Sequence, residues 1–75
     1  MTFLEWIDKN VPEGKELVYL KKAGLTKNLI HLWRIGRCKP TCLPIIYLSM
    51  VIAIEQHKSY RETVIEGIKA GATNG

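Results

Sequence analysis

Cysteine is scarce in this chain, with only Cys38 and Cys42 among 75 residues, and that scarcity excludes a disulfide-stapled scaffold. Their spacing would suit a metal site only if two more ligands came from elsewhere; His31 and His57 stand apart from each other, so neither a metal nor a cofactor is expected. The two thiols read as reduced cytosolic cysteines. Long apolar runs are missing as well. The uncharged stretch from 40 to 54 is shorter than the roughly 20 residues a helix needs to cross a bilayer, and it carries Pro40 and Pro44 near its start, so a buried helix is expected there. The opening MTFLEWIDKN places acids where a secretory leader carries positive charge, so the expected location is cytoplasmic. There is no glycine-rich phosphate loop, no pair of acids in an obvious cleft and no nucleophile with a base at a recognised spacing, which argues against an enzyme.

What is present is an ordinary globular composition, 47% hydrophobic, in a chain long enough for one small domain. Such a small core leaves stability modest, and association with a second copy would add to it. A single domain over residues 1–70 is expected, followed by a flexible tail from 71 to 75. The chain has a formal net charge of +4, unevenly spread. Between Lys15 and Lys39 lie seven lysines and arginines against the single Glu16, whereas the rest holds four cations and six acids. A basic centre between mildly acidic ends points to a polyanion-binding surface, because phosphate contacts release counterions.

Caps and apolar spacing predict an all-α fold, a compact bundle of about five short helices. Thr2 with Glu5 fits a capping box for a first helix ending near Asn10. Val11-Pro12-Glu13-Gly14 breaks the pattern, and Lys15 to Ala23 forms a second helix with Leu17, Val18 and Leu20 facing inward. Gly24 turns the chain. Thr26 caps a third helix and Gly36 stands where a left-handed residue ends one. Thr41 is placed to cap a fourth helix, with Pro44 in its first turn, running to about Gln56. Ser59 and Glu62 repeat the capping-box spacing ahead of a fifth helix whose Val64, Ile65 and Ile68 face the core and which ends before Gly71.

At about 100° per residue, the third helix gathers Leu29, Ile30, Leu32 and Trp33 on one arc and Lys27, Asn28, His31 and Arg34 on the other. The apolar arc packs, and the polar arc carries residue types that suit the major groove: asparagine pairs with adenine, lysine and arginine donate to guanine or phosphate, and histidine serves either. Ile35 is expected to project among the polar residues and to cover the exit loop. The fourth helix has two apolar stripes, Leu43, Ile46, Tyr47, Met50, Val51 and Ile54 on one side and Ile45, Leu48 and Ile52 on another. A helix apolar all round is either central to its domain or shared with a second subunit, so a homodimer through the fourth and fifth helices is expected.

The short second helix, the turn at Gly24 and the apolar Leu25, Ile30 and Trp33 resemble a helix-turn-helix. The stretch AGLTKNLIHLWRIGRCKP then looks like the bacterial and phage Cro and repressor family, lambda repressor-like and XRE-type, through its Gly-apolar-Thr turn, its recognition helix ending in Trp and its Gly-Arg…Lys-Pro exit. The resemblance covers about residues 15 to 56. It implies that Thr26 touches phosphate, that Lys27, Asn28 and His31 approach base edges, and that Arg34, Arg37 and Lys39 flank the groove. One departure is Leu20, where the family usually has a small residue, commonly alanine, four places before the turn glycine; a wider separation of the two helices is expected from it.

The function so implied is a sequence-specific double-stranded DNA-binding transcriptional regulator of the phage or mobile-element kind, acting in a bacterial cytoplasm or infected host. A different class, a protein-binding antagonist or antitoxin-like partner using the apolar fourth and fifth helices, would show no salt-dependent duplex affinity.

Overall fold

The computed structural model describes residues 2–73, which form five helices and, among the described residues, no strand. They are α1 (Phe3–Asn10), α2 (Glu16–Lys22), α3 (Lys27–Arg34), α4 (Cys42–Glu55) and α5 (Tyr60–Thr73).

Each start and stop has a local cause. Thr2 Oγ1 accepts from Glu5 N at 3.1 Å while Glu5 Oε1 accepts from Thr2 N at 3.1 Å, so the expected capping box is formed at α1. Three helices end in the same way. After α2, Leu25 N donates to Leu20 O at 2.9 Å and Gly24 N to Lys21 O at 3.1 Å; after α3, Arg37 N donates to Leu32 O at 2.9 Å and Gly36 N to Trp33 O at 3.2 Å. After α4, Lys58 N donates to Ala53 O at 2.9 Å and His57 N to Ile54 O at 3.4 Å. These are Schellman motifs, which need a left-handed residue just past the cap; Gly24 and Gly36 supply it at φ 76° and 77°, and His57 supplies it at φ 52° with a side chain attached. Thr41 holds the cap position of α4, but its hydroxyl makes no capping bond.

The core draws on every helix. Phe3 stacks on Trp6 with centroids 5.6 Å apart and meets Trp33 edge-on at 6.0 Å, linking α1 to α3. Ile7, Leu20, Leu48 and Ile52 are fully buried at its centre. Polar contacts tie the ends together. Trp6 Nε1 donates to Glu66 Oε1 at 3.4 Å, Gln56 Nε2 donates to the Asn10 carbonyl, and Lys22 pairs with Glu55.

Packing overrides the expected inward faces of α2 and α5 and chooses one for α4. In α2, Leu20 is buried as expected, but Leu17 and Val18 are exposed and Tyr19 is buried in their place. The Schellman turn bonds Leu25 N to the Leu20 carbonyl, and Leu25 packs against the same core that takes Tyr19 and Leu20. In α4 the shorter stripe, Ile45, Leu48 and Ile52, faces the core, whereas Leu43, Tyr47 and Ile54 of the longer one stay exposed.

In α5, Thr63, Gly67 and Ala70 face inward, and Ile65 and Ile68 do not. The cause is close approach to α4. A Cβ on Gly67 would overlap Ser49 Oγ, and one on Gly71 would overlap Ile45 Cδ1, so the two helices meet antiparallel through small residues. The same contact carries α5 through Gly71 to Thr73, past the expected end, and the start of the expected tail is therefore helical. Residues 74 and 75 of that tail lie outside the described residues.

Candidate nucleic-acid interface

The two helices α2 and α3 are joined by Ala23-Gly24-Leu25-Thr26. The positive φ of Gly24 reverses the chain, Leu25 packs against the core, and Thr26 Oγ1 accepts from Leu29 N at 3.2 Å to start α3. The Thr26 hydroxyl is thus used as a cap, and the residue remains exposed.

The expected division of α3 into two arcs is found. Ile30 and Trp33 are buried, at 5% and 4% exposure, and Leu29 and Leu32 are half-buried beside them. Lys27, Asn28 and His31 are exposed on the opposite side. Among the described residues the side chains of Lys27, Asn28, His31, Arg37 and Lys39 have no ion-pair or hydrogen-bond partner. Arg37 and Lys39 lie in the exposed connection between α3 and α4, beyond the left-handed Gly36. Cys38, between them, is an exposed free thiol, as is Cys42.

Arg34 is placed differently from the expectation that it flanks a groove. Its Nη2 donates to Asp8 Oδ1 at 2.8 Å and to Glu16 Oε1 at 2.9 Å, and its Nη1 donates to Asp8 Oδ2 at 3.4 Å. The fork to Asp8, followed by the bond to Glu16, holds the guanidinium proton even more firmly than usual. One arginine therefore ties α3 to both α1 and α2, and its charge is matched by two carboxylates. Lys22, paired with Glu55, is also engaged, whereas Lys21 and Lys15 are exposed.

Two apolar residues join this surface, Ile35 as its expected place among the polar residues implies and Leu17 against the expectation that it faces inward. Ile35 is 54% exposed and continues the arc of Asn28 and His31; its wheel position signals this, since residues three, four and seven apart share a face. Leu17 is 55% exposed and, with Lys27, His31 and Arg34, lines a shallow groove between α2 and α3. No signal in the sequence of α2 places Leu17 outside, because its neighbours Val18, Tyr19 and Leu20 are apolar too.

The arrangement is a short rod anchored on one side by buried apolar residues and presenting, on the other, a lysine, an asparagine and a histidine with unused donors and acceptors. Two further cations stand at its exit. No protein-family model, no curated protein and no solved structure matches this chain.

Proposed function

We propose that the chain binds double-stranded DNA as a sequence-specific transcriptional regulator, with α2 and α3 acting as a helix-turn-helix and α3 entering the major groove. In this reading Lys27, Asn28 and His31 address base edges, and Thr26, Arg37 and Lys39 address phosphates. Arg34 orients α3 through Asp8 and Glu16. Occupation of an operator blocks access of polymerase, in the manner of the Cro and repressor family that residues 15–56 resemble.

The observation that carries the reading is the contrast along one helix: Ile30 and Trp33 are buried while Lys27, Asn28 and His31 stand exposed and unpartnered among the described residues. Exposed polar side chains on a helix are common, but here they adjoin the basic centre of the chain, where phosphate neutralisation supplies affinity.

Selection from a random duplex library at physiological salt tests it. The expected outcome is one enriched sequence, bound with an affinity that falls steeply as salt rises. Asn28→Ala or His31→Ala should then relax the preference at one or two base pairs, costing about 1–3 kcal/mol on the selected sequence. A chain that enriches nothing and binds duplex no better at low salt than at high salt would overturn the reading.

A further inference from the structure

Where the start of α1 meets the exit of α3, the packing leaves a cleft of about 260 Å³. Phe3 and Trp33, buried and edge-on to each other, form its floor, and Leu4 and Pro40 stand half-buried beside them. Gly36 and Gly71 lend it backbone and no side chain. Both are glycine for reasons of fold: Gly36 takes the positive φ of the Schellman turn after α3, and a Cβ on Gly71 would overlap Ile45 Cδ1. Among the described residues the lining holds one charged residue, Lys39, and no acid. Lys39 is exposed and has no ion-pair or hydrogen-bond partner among those residues. Another wall is the first turn of α1, where N–H groups lack an intrahelical carbonyl and the helix end favours an anion.

We propose that this cleft binds a small apolar carboxylate, its apolar part against Phe3, Trp33 and Pro40 and its carboxylate on the Lys39 ammonium. Size sets the class of ligand. Sites for drug-sized molecules run from roughly 300 to 1,000 Å³, and 260 Å³ lies just below, with room for about nine groups of the size of a water molecule or a methylene. A peptide or a partner helix is too large, whereas a phenyl ring on a two-carbon tail fits. Charge sets the head group. One unpaired cation and one helix start both favour an anion, and no acid in the lining opposes it. A bare inorganic anion is excluded, because apolar walls cannot replace its hydration.

In the DNA reading proposed above, on which this one further step rests, Lys39 addresses a phosphate. A bound carboxylate takes the same ammonium, so occupation of the cleft removes one phosphate contact and weakens duplex binding. The cleft is thereby an effector site behind the exit of α3.

Titration of the isotope-labelled chain with sodium hydrocinnamate, followed by amide NMR without DNA, tests the site apart from duplex binding. The amide signals of Leu4, Gly36, Cys38, Lys39 and Gly71 should shift together and saturate with a Kd of roughly 1 mM or below. The neutral hydrocinnamyl alcohol should bind at least roughly 3-fold more weakly, as should the acid to Lys39→Gln. Lys39→Arg should retain binding, and Lys9→Gln, which changes an exposed lysine of α1 outside the cleft, should not alter it. The proposal is overturned if those signals do not saturate by about 10 mM, if the saturating signals lie elsewhere in the chain, or if neither the alcohol nor Lys39→Gln loses affinity. On the duplex selected for binding, saturating hydrocinnamate should lower the salt slope by about one unit in the unmodified chain and leave that of Lys39→Gln unchanged. A slope that the acid does not change overturns the competition for Lys39. A chain that takes the acid but no duplex overturns the DNA reading and leaves the cleft a carboxylate site.

Discussion

Gly67 and Ser49 are in such close register that a methyl group on Gly67 would overlap Ser49 Oγ and stand 3.1 Å from Ser49 Cβ. Ser49 is fully buried, and its hydroxyl donates to the Ile45 carbonyl at 2.7 Å, so it has no open space to retreat into. Gly67→Ala is expected to destabilise the fold by about 1–2 kcal/mol, the overpacking cost reduced by the better helix propensity of alanine. Ser49→Ala in the same chain should recover part of that loss. Gly71→Ala should cost less, because it meets the movable end of the Ile45 side chain. Urea denaturation of the three variants checks the order.

Arg34 and Arg37 lie three residues apart and should behave differently. Arg34 is occupied by Asp8 and Glu16, with its side chain 38% exposed, so solvent screens both pairs. Arg34→Ala is expected to lower stability by no more than about 1 kcal/mol and to leave the salt dependence of duplex binding nearly unchanged. Arg37→Ala should leave stability alone and lower the salt slope by about one unit, the signature of one lost phosphate contact. Paired denaturation and salt-titration measurements separate the two.

Glu5 is fully exposed, and its bonds with Thr2, from the backbone N–H first and then the hydroxyl, hold its carboxyl below the ordinary value of 4.5. A depressed folded value means that the capping box contributes in full above the unfolded pKa and is lost as pH falls through the folded one. Stability should therefore decline on acidification below about pH 4.5, and the part of that decline due to this carboxyl should be missing in Glu5→Gln. Thermal melts of both chains at a series of acid pH values measure it.

His57 closes α4 in the left-handed region at φ 52°, where Gly24 and Gly36 close the two preceding helices. Its imidazole is exposed, so removing it loses little packing. His57→Gly is expected to stabilise the chain by about 0.5–1 kcal/mol by relieving the Cβ, with the gain reduced by the greater freedom of glycine when unfolded. The midpoint of urea unfolding should rise while its slope stays constant.

The sequence by itself determined where the helices begin, where the first four end and how α3 divides. Thr2, Thr26, Ser59, Gly24 and Gly36 act on backbone groups a few residues away, and the wheel of α3 separates sharply polar from sharply apolar residues. Such effects are settled within one or two turns, whatever the rest of the chain does. The inward side of α4 was a different matter, because a helix apolar on every side has no local reason to prefer one. Only the fit of Gly67 and Gly71 against Ser49 and Ile45 decided it, and that fit also turned Ile65 and Ile68 outward and extended α5 past Gly71. Likewise, nothing local could show that Arg34 would be taken up by Asp8 and Glu16, residues 26 and 18 positions away. Pairings across that distance exist only once the helices have packed, since packing rather than sequence spacing brings the charges within reach.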